Sequence, residues 1–337
     1  MSALETMMPP VKRAAVNGVE IAYYEAGPRE GVPIVLCHGF PELAFSWRHQ
    51  IKALGEAGRW VIAPDQRGYG LSSKPSNVSD YGIDQLTGDL VGLLDHLGVE
   101  KAIFCGHDWG GIVVWQMPLM HPDRVAGVIG LNTPFLPRAP ADPIAIMRNR
   151  FGPDMYIVWF QNPDEPEAVL GADVDKTMRF FMREPATPAG ASGGLRALTG
   201  QDDAPAEGGS TFAFKDMLRA WDGVTGPAQI LTPEELAVFV EAFRSGGFFG
   251  PVSWYRNFTP NWARSESLPT RVDGVPCLMI TAERDAVLTP EMAEPMPHFV
   301  GDLETHMVKG SGHWTQQEKP ADVDGLILDW LDKRFPQ

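Results

Sequence analysis

The chain has 337 residues, 44% of them hydrophobic, which is enough for one large α/β domain with an insertion or for two domains. Its formal net charge is −15, and the charged residues are distributed along the chain without a long run of like charge. This argues against the basic surface typical of proteins that bind nucleic acid or anionic membranes. The sequence lacks an apolar stretch of membrane-spanning length and a signal-peptide pattern, and its three cysteines lie in apolar runs, so we expect a cytoplasmic protein without disulfides.

The first third of the chain alternates predicted strands and helices. Apolar runs at residues 19–26, 33–37 and 60–64 predict strands, and residues 83–97 place isoleucine and leucine side chains on one face of a helix. A further strand is predicted at residues 125–131. This alternation indicates a mainly parallel sheet covered by helices on both faces, with catalytic groups at the carboxyl ends of its strands.

The pattern changes after residue 133, and the sequence becomes helical in character. A capping box that begins at Thr232, with a proline at the first helical position, predicts the start of one helix. Residues 184–210 are rich in Pro, Ala, Gly and Ser and are predicted to form a loop. We therefore predict a helical cap over residues 134–264.

The alternation returns in the last part of the chain, with strands predicted at residues 276–281 and 304–308 and a final helix after them. The simplest organisation is an α/β core formed by residues 1–133 and 265–337, with the cap inserted between its two parts.

The segment Gly106-His107-Asp108-Trp109-Gly110-Gly111 lies between an apolar run that predicts a strand and another that predicts a helix. The glycines permit a sharp turn that exposes the central side chain, as in the G-x-S-x-G nucleophile elbow. Asp108 stands here in place of the serine. A carboxylate can attack an electrophilic carbon and form an ester that a second step must hydrolyse. The segment therefore favours alkyl transfer to water over serine-type acyl transfer.

Hydrolysis of such an ester needs a base to activate water and a group to orient the base. His313 follows the last predicted strand, and Asp285 follows the strand before it, in the chain order expected for this fold. Glu283 is a weaker candidate for the orienting acid because it lies nearer the strand. The alternative position for the acid carries Asn132, which cannot hold a negative charge. His306, within a strand, is interpreted as structural.

A second loop, His38-Gly39-Phe40-Pro41, also follows a predicted strand. Its turn can place the backbone N–H of Phe40 opposite that of Trp109, so that two donors stabilise an oxyanion on the ester carbonyl. His38 is interpreted as a structural residue of this loop. The Phe40-Pro41 bond is a candidate for a cis peptide.

Six segments together resemble the epoxide hydrolases of the α/β-hydrolase fold, from about residue 15 onward. They are His38–Pro41, Asp65-Gln66-Arg67-Gly68-Tyr69-Gly70, Gly106–Gly111, Gly250-Pro251-Val252-Ser253-Trp254-Tyr255-Arg256-Asn257, residues 280–290, and Gly312-His313-Trp314-Thr315-Gln316. The elbow is shared with dehalogenases, whereas the segment around Tyr255 is more specific. The resemblance implies an α/β-hydrolase fold, with a mainly parallel sheet flanked by helices and an inserted helical cap.

The resemblance also implies that two cap tyrosines hold the epoxide oxygen. Tyr255 fits the cap motif, and Tyr156 lies in the segment expected to supply its partner. The chemistry agrees, since a phenol with an ordinary pKa of about 10 remains protonated at neutral pH and can donate to the oxygen of the opening ring. Without the resemblance, packing alone would explain the two aromatic residues equally well.

Four further functions stand beside epoxide hydrolysis, and one of them, a serine esterase, is disfavoured by Asp108 itself. A haloalkane dehalogenase would share Asp108, His313 and the Trp109 indole, but would usually carry a polar side chain at the position of Phe40. A fluoroacetate-type dehalogenase would tend to have arginine in place of Trp109. A ligand-binding protein that retains the fold has no physical need for an intact set of Asp108, Asp285 and His313.

The sequence thus predicts an epoxide hydrolase that needs no metal or organic cofactor. Its expected partners are a small hydrophobic epoxide and water, with neither nucleic acid nor membrane, and a cap-to-cap homodimer is compatible with the sequence. Apolar cap and loop residues are candidates for the pocket wall, namely Pro41, Met155, Trp159 and Phe248. Packing within the cap explains such residues equally well.

Overall fold

Eight strands form one sheet in this computed structural model, which describes residues 3–184 and 212–337. The order across the sheet is β1-β2-β4-β3-β5-β6-β7-β8, with antiparallel pairing at β1–β2 and β2–β4 and parallel pairing from β4 to β8. The prediction of a mainly parallel sheet is confirmed. The strands are β1 Lys12–Val16, β2 Val19–Ala26, β3 Ile34–Cys37, β4 Val61–Pro64, β5 Ala102–His107, β6 Val125–Leu131, β7 Val272–Ala282 and β8 Val300–Val308.

Strand β1 was not predicted from the sequence. It pairs with β2 across Asn17-Gly18, where both residues have positive φ angles of 46° and 77°. An Asn-Gly pair between two strand-like runs is a hairpin signal, because both central residues of such a turn need positive φ. The local sequence therefore carried the information for this strand.

The centre of the sheet is buried on both faces. Every residue of β3, β4 and β5 is buried, as expected for parallel strands covered by helices on both sides. The register pairs Cys37 with Gly106 and Leu131 with Ile280, so β3, β5, β6 and β7 end along one edge of the sheet. The loops after β3, β5 and β7 carry Phe40, Asp108 and Asp285, and the loop after β8 carries His313.

Helices of the α/β core cover the two faces of the sheet, and contacts join α2 to α14 and α3 to α4. Their bounds are α1 Ala3–Met7, α2 Arg48–Glu56, α3 Ile83–Leu97, α4 Trp109–Met120, α13 Thr315–Glu318 and α14 Pro320–Arg334. The cysteines of β3, β5 and β7 are buried in this core, as predicted.

Eight helices are described between β6 and β7, and we call this group the helical cap. They are α5 Pro143–Phe151, α6 Tyr156–Trp159, α7 Glu165–Gly171, α8 Val174–Phe181, α9 Phe214–Ala220, α10 Pro233–Gly246, α11 Phe249–Arg256 and α12 Phe258–Arg264. The capping box is present at α10, where Thr232 and Glu235 each bond the backbone N–H of the other. The domain limits at residues 133/134 and 264/265 stay a prediction, and the predicted loop at 184–210 lies outside the described residues except for Glu184.

None of the helices within the described ranges combines the length and the apolar character that a membrane crossing requires.

Candidate active site

Asp108 lies at the tight turn between β5 and α4. Its backbone has φ 51° and ψ −122°, a strained conformation for a residue with a side chain. The flanking glycines are needed for steric reasons. A Cβ on Gly106 would overlap the backbone of Gly110, and a Cβ on Gly110 would overlap the carbonyl of Cys37 at the end of β3. The turn therefore has the geometry that the glycine spacing predicted.

The Asp108 carboxylate is held by backbone donors from two loops. The N–H of Phe40 donates to Oδ1 at 2.8 Å, and the N–H of Trp109 is a second donor. Burial raises the pKa of Asp108, against the opposing effects of His313, His107 and the two N–H groups. The two donors predicted for an oxyanion hole thus both face this carboxylate.

The predicted base and its orienting acid are in direct contact. His313 Nδ1 is 2.8 Å from Asp285 Oδ2, and its Nε2 is 3.7 Å from Asp108 Oδ2. Burial lowers the pKa of His313, but the carboxylates of Asp285 and Asp108 outweigh it and raise that pKa to about 9. Burial also opposes the charge on Asp285, yet the positive charge of His313 and the hydrogen bonds to Asp285 hold the pKa of Asp285 below its ordinary value. The three residues predicted as a triad therefore lie together.

The weaker candidates lie elsewhere. Glu283 accepts a hydrogen bond from the N–H of Gly310 at 2.9 Å. His306 lies on β8, with Nε2 2.9 Å from Glu304 Oε1. Both contacts are structural, as the sequence analysis expected for His306.

His38 supports the loop that carries Phe40. Its Nε2 accepts from the N–H of Gln66 at 3.0 Å, so the ring is neutral, with its proton on Nδ1 3.0 Å from the carbonyl of Gly39. Burial lowers the pKa of His38, which agrees with a neutral ring. The Phe40-Pro41 bond is cis. The structural interpretation of His38 is confirmed by these contacts.

The two predicted tyrosines lie opposite Asp108, on α6 and α11 of the helical cap. The rings of Tyr156 and Tyr255 are 5.8 Å apart, with an angle of 75° between their planes. Burial, together with the nearby charge of Asp108, raises the pKa of both phenols well above 10. Both phenols are therefore protonated, and thus donors, at neutral pH.

Hydrogen bonds join helix α11 to the core on either side of Tyr255. The indole N–H of Trp254 donates to the carbonyl of Arg67 at 3.1 Å, and the amide of Asn257 donates to the carbonyl of Val78 at 2.7 Å. These bonds come from the neighbours of Tyr255 in the motif Trp254-Tyr255-Arg256-Asn257. They fix the height of the Tyr255 hydroxyl above the sheet.

A cavity of about 240 Å³ separates the core loops from the cap, and Asp108, His313, Tyr156 and Tyr255 all line it. The remaining wall is mainly aromatic, with a few charged side chains. Its apolar members are Phe40, Phe180, Phe181, Phe212, Phe214, Met217, Ala286, Val287 and Trp314.

The four residues predicted for the pocket wall are not among the side chains that line this cavity. Pro41 is buried within its loop. Met155 accepts the N–H of Ile157 through its sulfur, Trp159 packs against Phe160, and Phe248 stacks on Phe243. All three cap residues face the interior of the cap, which is the packing explanation that the sequence left open.

Within residues 3–184 and 212–337, His, Cys, Asp and Glu side chains do not form a group of three or more that could hold a metal ion.

Comparison with known proteins places this site in a family. Residues 32–167 match the alpha/beta hydrolase fold. Epoxide hydrolase A of Mycobacterium tuberculosis is 43% identical, and the alignment covers 94% of this chain and 95% of that protein. The chain belongs to the epoxide hydrolases of the α/β-hydrolase fold.

Two further members of this epoxide hydrolase family extend the comparison. Bifunctional epoxide hydrolase 2 of Sus scrofa is 38% identical over 94% of this chain, which corresponds to 54% of that longer protein. The crystal structure of Epoxide Hydrolase A from Mycobacterium thermoresistibile superposes with a TM-score of 0.83 at 39% identity, covering 96% of this chain and 98% of that one. The family and fold implied by the sequence resemblance are confirmed.

Three polar residues that support the site, two of them buried and one half-buried, were not found from the sequence. Glu42 accepts from the N–H of Gly39 at 2.9 Å and lies 2.7 Å from His107 Nδ1, while His107 Nε2 is 2.6 Å from the carbonyl of His313. Glu318 accepts from the backbone N–H groups on both sides of His313, at 2.7 and 2.9 Å. The only signal for these residues in the sequence was their position, since each lies within a few residues of a predicted site residue.

Proposed function

We propose that the protein converts epoxides to vicinal diols through an ester on Asp108. One observation carries the proposal. The Asp108 carboxylate faces the His313–Asp285 pair and the Tyr156–Tyr255 pair across one cavity, so a nucleophile, a base and two acids reach the same small molecule.

In the first half-reaction, Asp108 attacks a ring carbon of the epoxide. The new bond joins a carboxylate oxygen to that carbon, the ring C–O bond breaks, and its electron pair goes to the epoxide oxygen. Tyr156 and Tyr255 donate hydrogen bonds to this oxygen, and one of them transfers its proton. An alkoxide is a poor leaving group without such donors, so the tyrosines act mainly on this step.

In the second half-reaction, His313 takes a proton from water, whose oxygen attacks the carbonyl carbon of the ester. The N–H groups of Phe40 and Trp109 hold the oxyanion. Collapse breaks the ester C–O bond at the carbonyl carbon, and the proton of the newly added hydroxyl passes to the departing alkoxide, which releases the diol and restores the Asp108 carboxylate. The proton from water replaces the one that the tyrosine gave up. Ester formation also removes the charge of Asp108, one of the carboxylates that raise the pKa of His313, and so favours the neutral base in this step.

The chemistry needs only the epoxide and water as partners, and no cofactor enters either step. The aromatic wall of the cavity favours a hydrophobic epoxide. Dehalogenation is less well supported, because the position expected for a polar halide ligand is the Phe40 ring. That ring packs 5.3 Å from Tyr255 and 5.8 Å from Phe181.

The decisive experiment is intact-mass spectrometry of His313→Gln after incubation with styrene oxide and, separately, with a bromoalkane. We expect an adduct equal to the whole mass of styrene oxide, located on Asp108 by peptide mapping. The control is His306→Gln, which should turn over the epoxide without holding an adduct. An adduct from the bromoalkane alone, with halide released, would reassign the protein to dehalogenation. A folded variant without either adduct would overturn the proposal.

Isotope labelling tests the covalent route independently. In a single turnover of the wild-type protein in heavy-oxygen water, the label should enter Asp108 first and appear in the diol only at the next turnover. Label found directly in the first diol would exclude the ester.

A further inference from the structure

Asn132 follows β6 directly and lies between the turn of Asp108 and the loop of Asp285. This place follows from the strand order, because β6 is flanked by β5 on one side and β7 on the other. The residue is buried and has a positive φ of 60°, a conformation that asparagine tolerates better than most residues. The side chain thus lies at a point where the catalytic loops meet.

The Asn132 amide nitrogen faces three oxygen acceptors. It is 2.7 Å from Asp285 Oδ2, 3.3 Å from the carbonyl of Gly312 and 3.2 Å from the carbonyl of His313. An amide turned the other way would bring its oxygen against these three acceptors, so their positions fix its orientation. One side chain therefore holds both the orienting acid and the loop of the base.

The contact with Asp285 completes the coordination of a buried carboxylate. Oδ1 accepts from the N–H groups of Val287 and Leu288 at 2.9 and 3.0 Å, and Oδ2 accepts from His313 and Asn132. Each oxygen thus has two donors, and the carboxylate cannot rotate without losing bonds to both. Without the amide, Oδ2 would be held by His313 alone.

We propose that Asn132 is a positioning residue for the hydrolytic half-reaction, which holds Asp285 and the His313 loop in the geometry that water activation needs. The inference rests on the proposed function. None of the hydrogen bonds described for the Asn132 side chain goes to the Asp108 carboxylate, Tyr156 or Tyr255. Ester formation needs those three groups and no base, so the loss of the amide should slow ester hydrolysis and spare ester formation.

Asn132→Gly tests this separation, because glycine accepts the positive φ and removes only the side chain. Rapid quenching at saturating styrene oxide, followed by intact-mass detection, gives the rate of ester formation and the fraction of protein held as ester. We expect hydrolysis to slow on the order of tenfold, as for the loss of a hydrogen bond to a charged group, with ester formation within about twofold of wild type. The ester fraction at steady state should therefore rise.

Two further variants keep the result interpretable. Asn132→Ala lacks the amide without the added backbone freedom of glycine, so both variants should accumulate ester if the amide is responsible. Asn17→Gly is the matched control, since Asn17 also has a positive φ, of 46°, and its amide bonds Asp89 at 2.9 Å outside the site. This control should keep the wild-type ester fraction.

Equal slowing of both steps, or an unchanged ester fraction in both Asn132 variants, would overturn the positioning role. The proposed function fails separately, if styrene oxide gives no adduct even with His313→Gln. An adduct there, combined with a wild-type ester fraction in the Asn132 variants, would refute only the inference about Asn132.

Discussion

The functional residues on the two sides of the cavity are held by different kinds of interaction. On the core side, Asp108, Asp285 and His313 are held by hydrogen bonds at the ends of parallel strands, with contacts of 2.7–3.0 Å to backbone and side-chain groups. On the cap side, Tyr156 and Tyr255 lie among aromatic rings with centroids 4.5–5.8 Å apart. Aromatic pairs contribute about 0.5–1.5 kcal/mol each and tolerate several geometries, whereas a buried charge that loses a donor costs about 1–3 kcal/mol or more.

One site therefore combines a rigid core side with an adaptable cap side. The core side must hold charges at fixed positions for two successive reactions of the same carboxylate. The cap side must present two phenols and an apolar wall, which ring packing can supply for substrates of different shape. Variants on the core side are therefore expected to have the larger and more general effects.

The largest effect is predicted for Gly39→Ala. A Cβ at this position would overlap the Cβ and Oδ1 atoms of Asp108, which the strained turn prevents from moving aside. The shift would displace the neighbouring Phe40 N–H from the carboxylate, so both half-reactions should slow on the order of 10³-fold. Single-turnover assays with styrene oxide measure both rates.

Gly325→Ala on α14 is the control for Gly39→Ala, because the part of the chain that the structure describes leaves the space within 4 Å of a Cβ there open. It should keep wild-type rates. If Gly39→Ala retained ester formation within a few-fold of wild type, the core side would be more adaptable than its contacts indicate.

A smaller and step-specific effect is predicted for the cap tyrosines. Tyr156→Phe and Tyr255→Phe each remove one donor to the epoxide oxygen and leave the other, so ester formation should slow on the order of 10²-fold. Hydrolysis of the ester should change less, because the core side performs it. Pre-steady-state rates of the two steps make this comparison.

Tyr81→Phe is the matched control for the tyrosine variants, since its hydroxyl donates to the carbonyl of Pro75 at 2.7 Å, outside the cavity. A cap tyrosine variant that slowed hydrolysis more than ester formation would contradict the assignment of that phenol to ester formation.

The same contrast explains what the sequence could predict. The glycine spacing around Asp108, the alternation of strands and helices and the loop positions of Asp285 and His313 could all be read from the sequence, because a parallel sheet brings the carboxyl ends of its strands to one edge. The Asn17-Gly18 hairpin was readable too, although its strand was not predicted.

The cap side was less accessible to sequence reasoning. The two tyrosines were identified by family resemblance, whereas the wall was assigned to Met155, Trp159 and Phe248 instead of Phe180, Phe181 and Phe214. The cap consists of short helices joined by irregular segments. Local periodicity in such a sequence does not show which way each aromatic side chain points. Hydrogen bonds between distant residues, such as those of Asn132 and Glu42, also depend on the assembled fold.

The smallest predicted effect concerns stability and again belongs to the core side. The pKa of His313 is raised from 6.5 to about 9 by the carboxylates that surround it, so the folded protein binds this proton more tightly than the unfolded chain does. The resulting stabilisation is complete below about pH 6.5 and is lost as the pH rises through about 9, by linkage. Urea unfolding of the wild type should therefore show a decline in the free energy of unfolding across this window, on the order of 1–3 kcal/mol, that is missing from His313→Gln.

The control is His306→Gln, which alters a histidine on β8 whose side chain is 41% exposed and should retain the decline. Parallel curves for the wild type and His313→Gln would mean that the surrounding carboxylates do not hold a proton on His313, and that water activation starts from a neutral base in the free enzyme as well as in the ester.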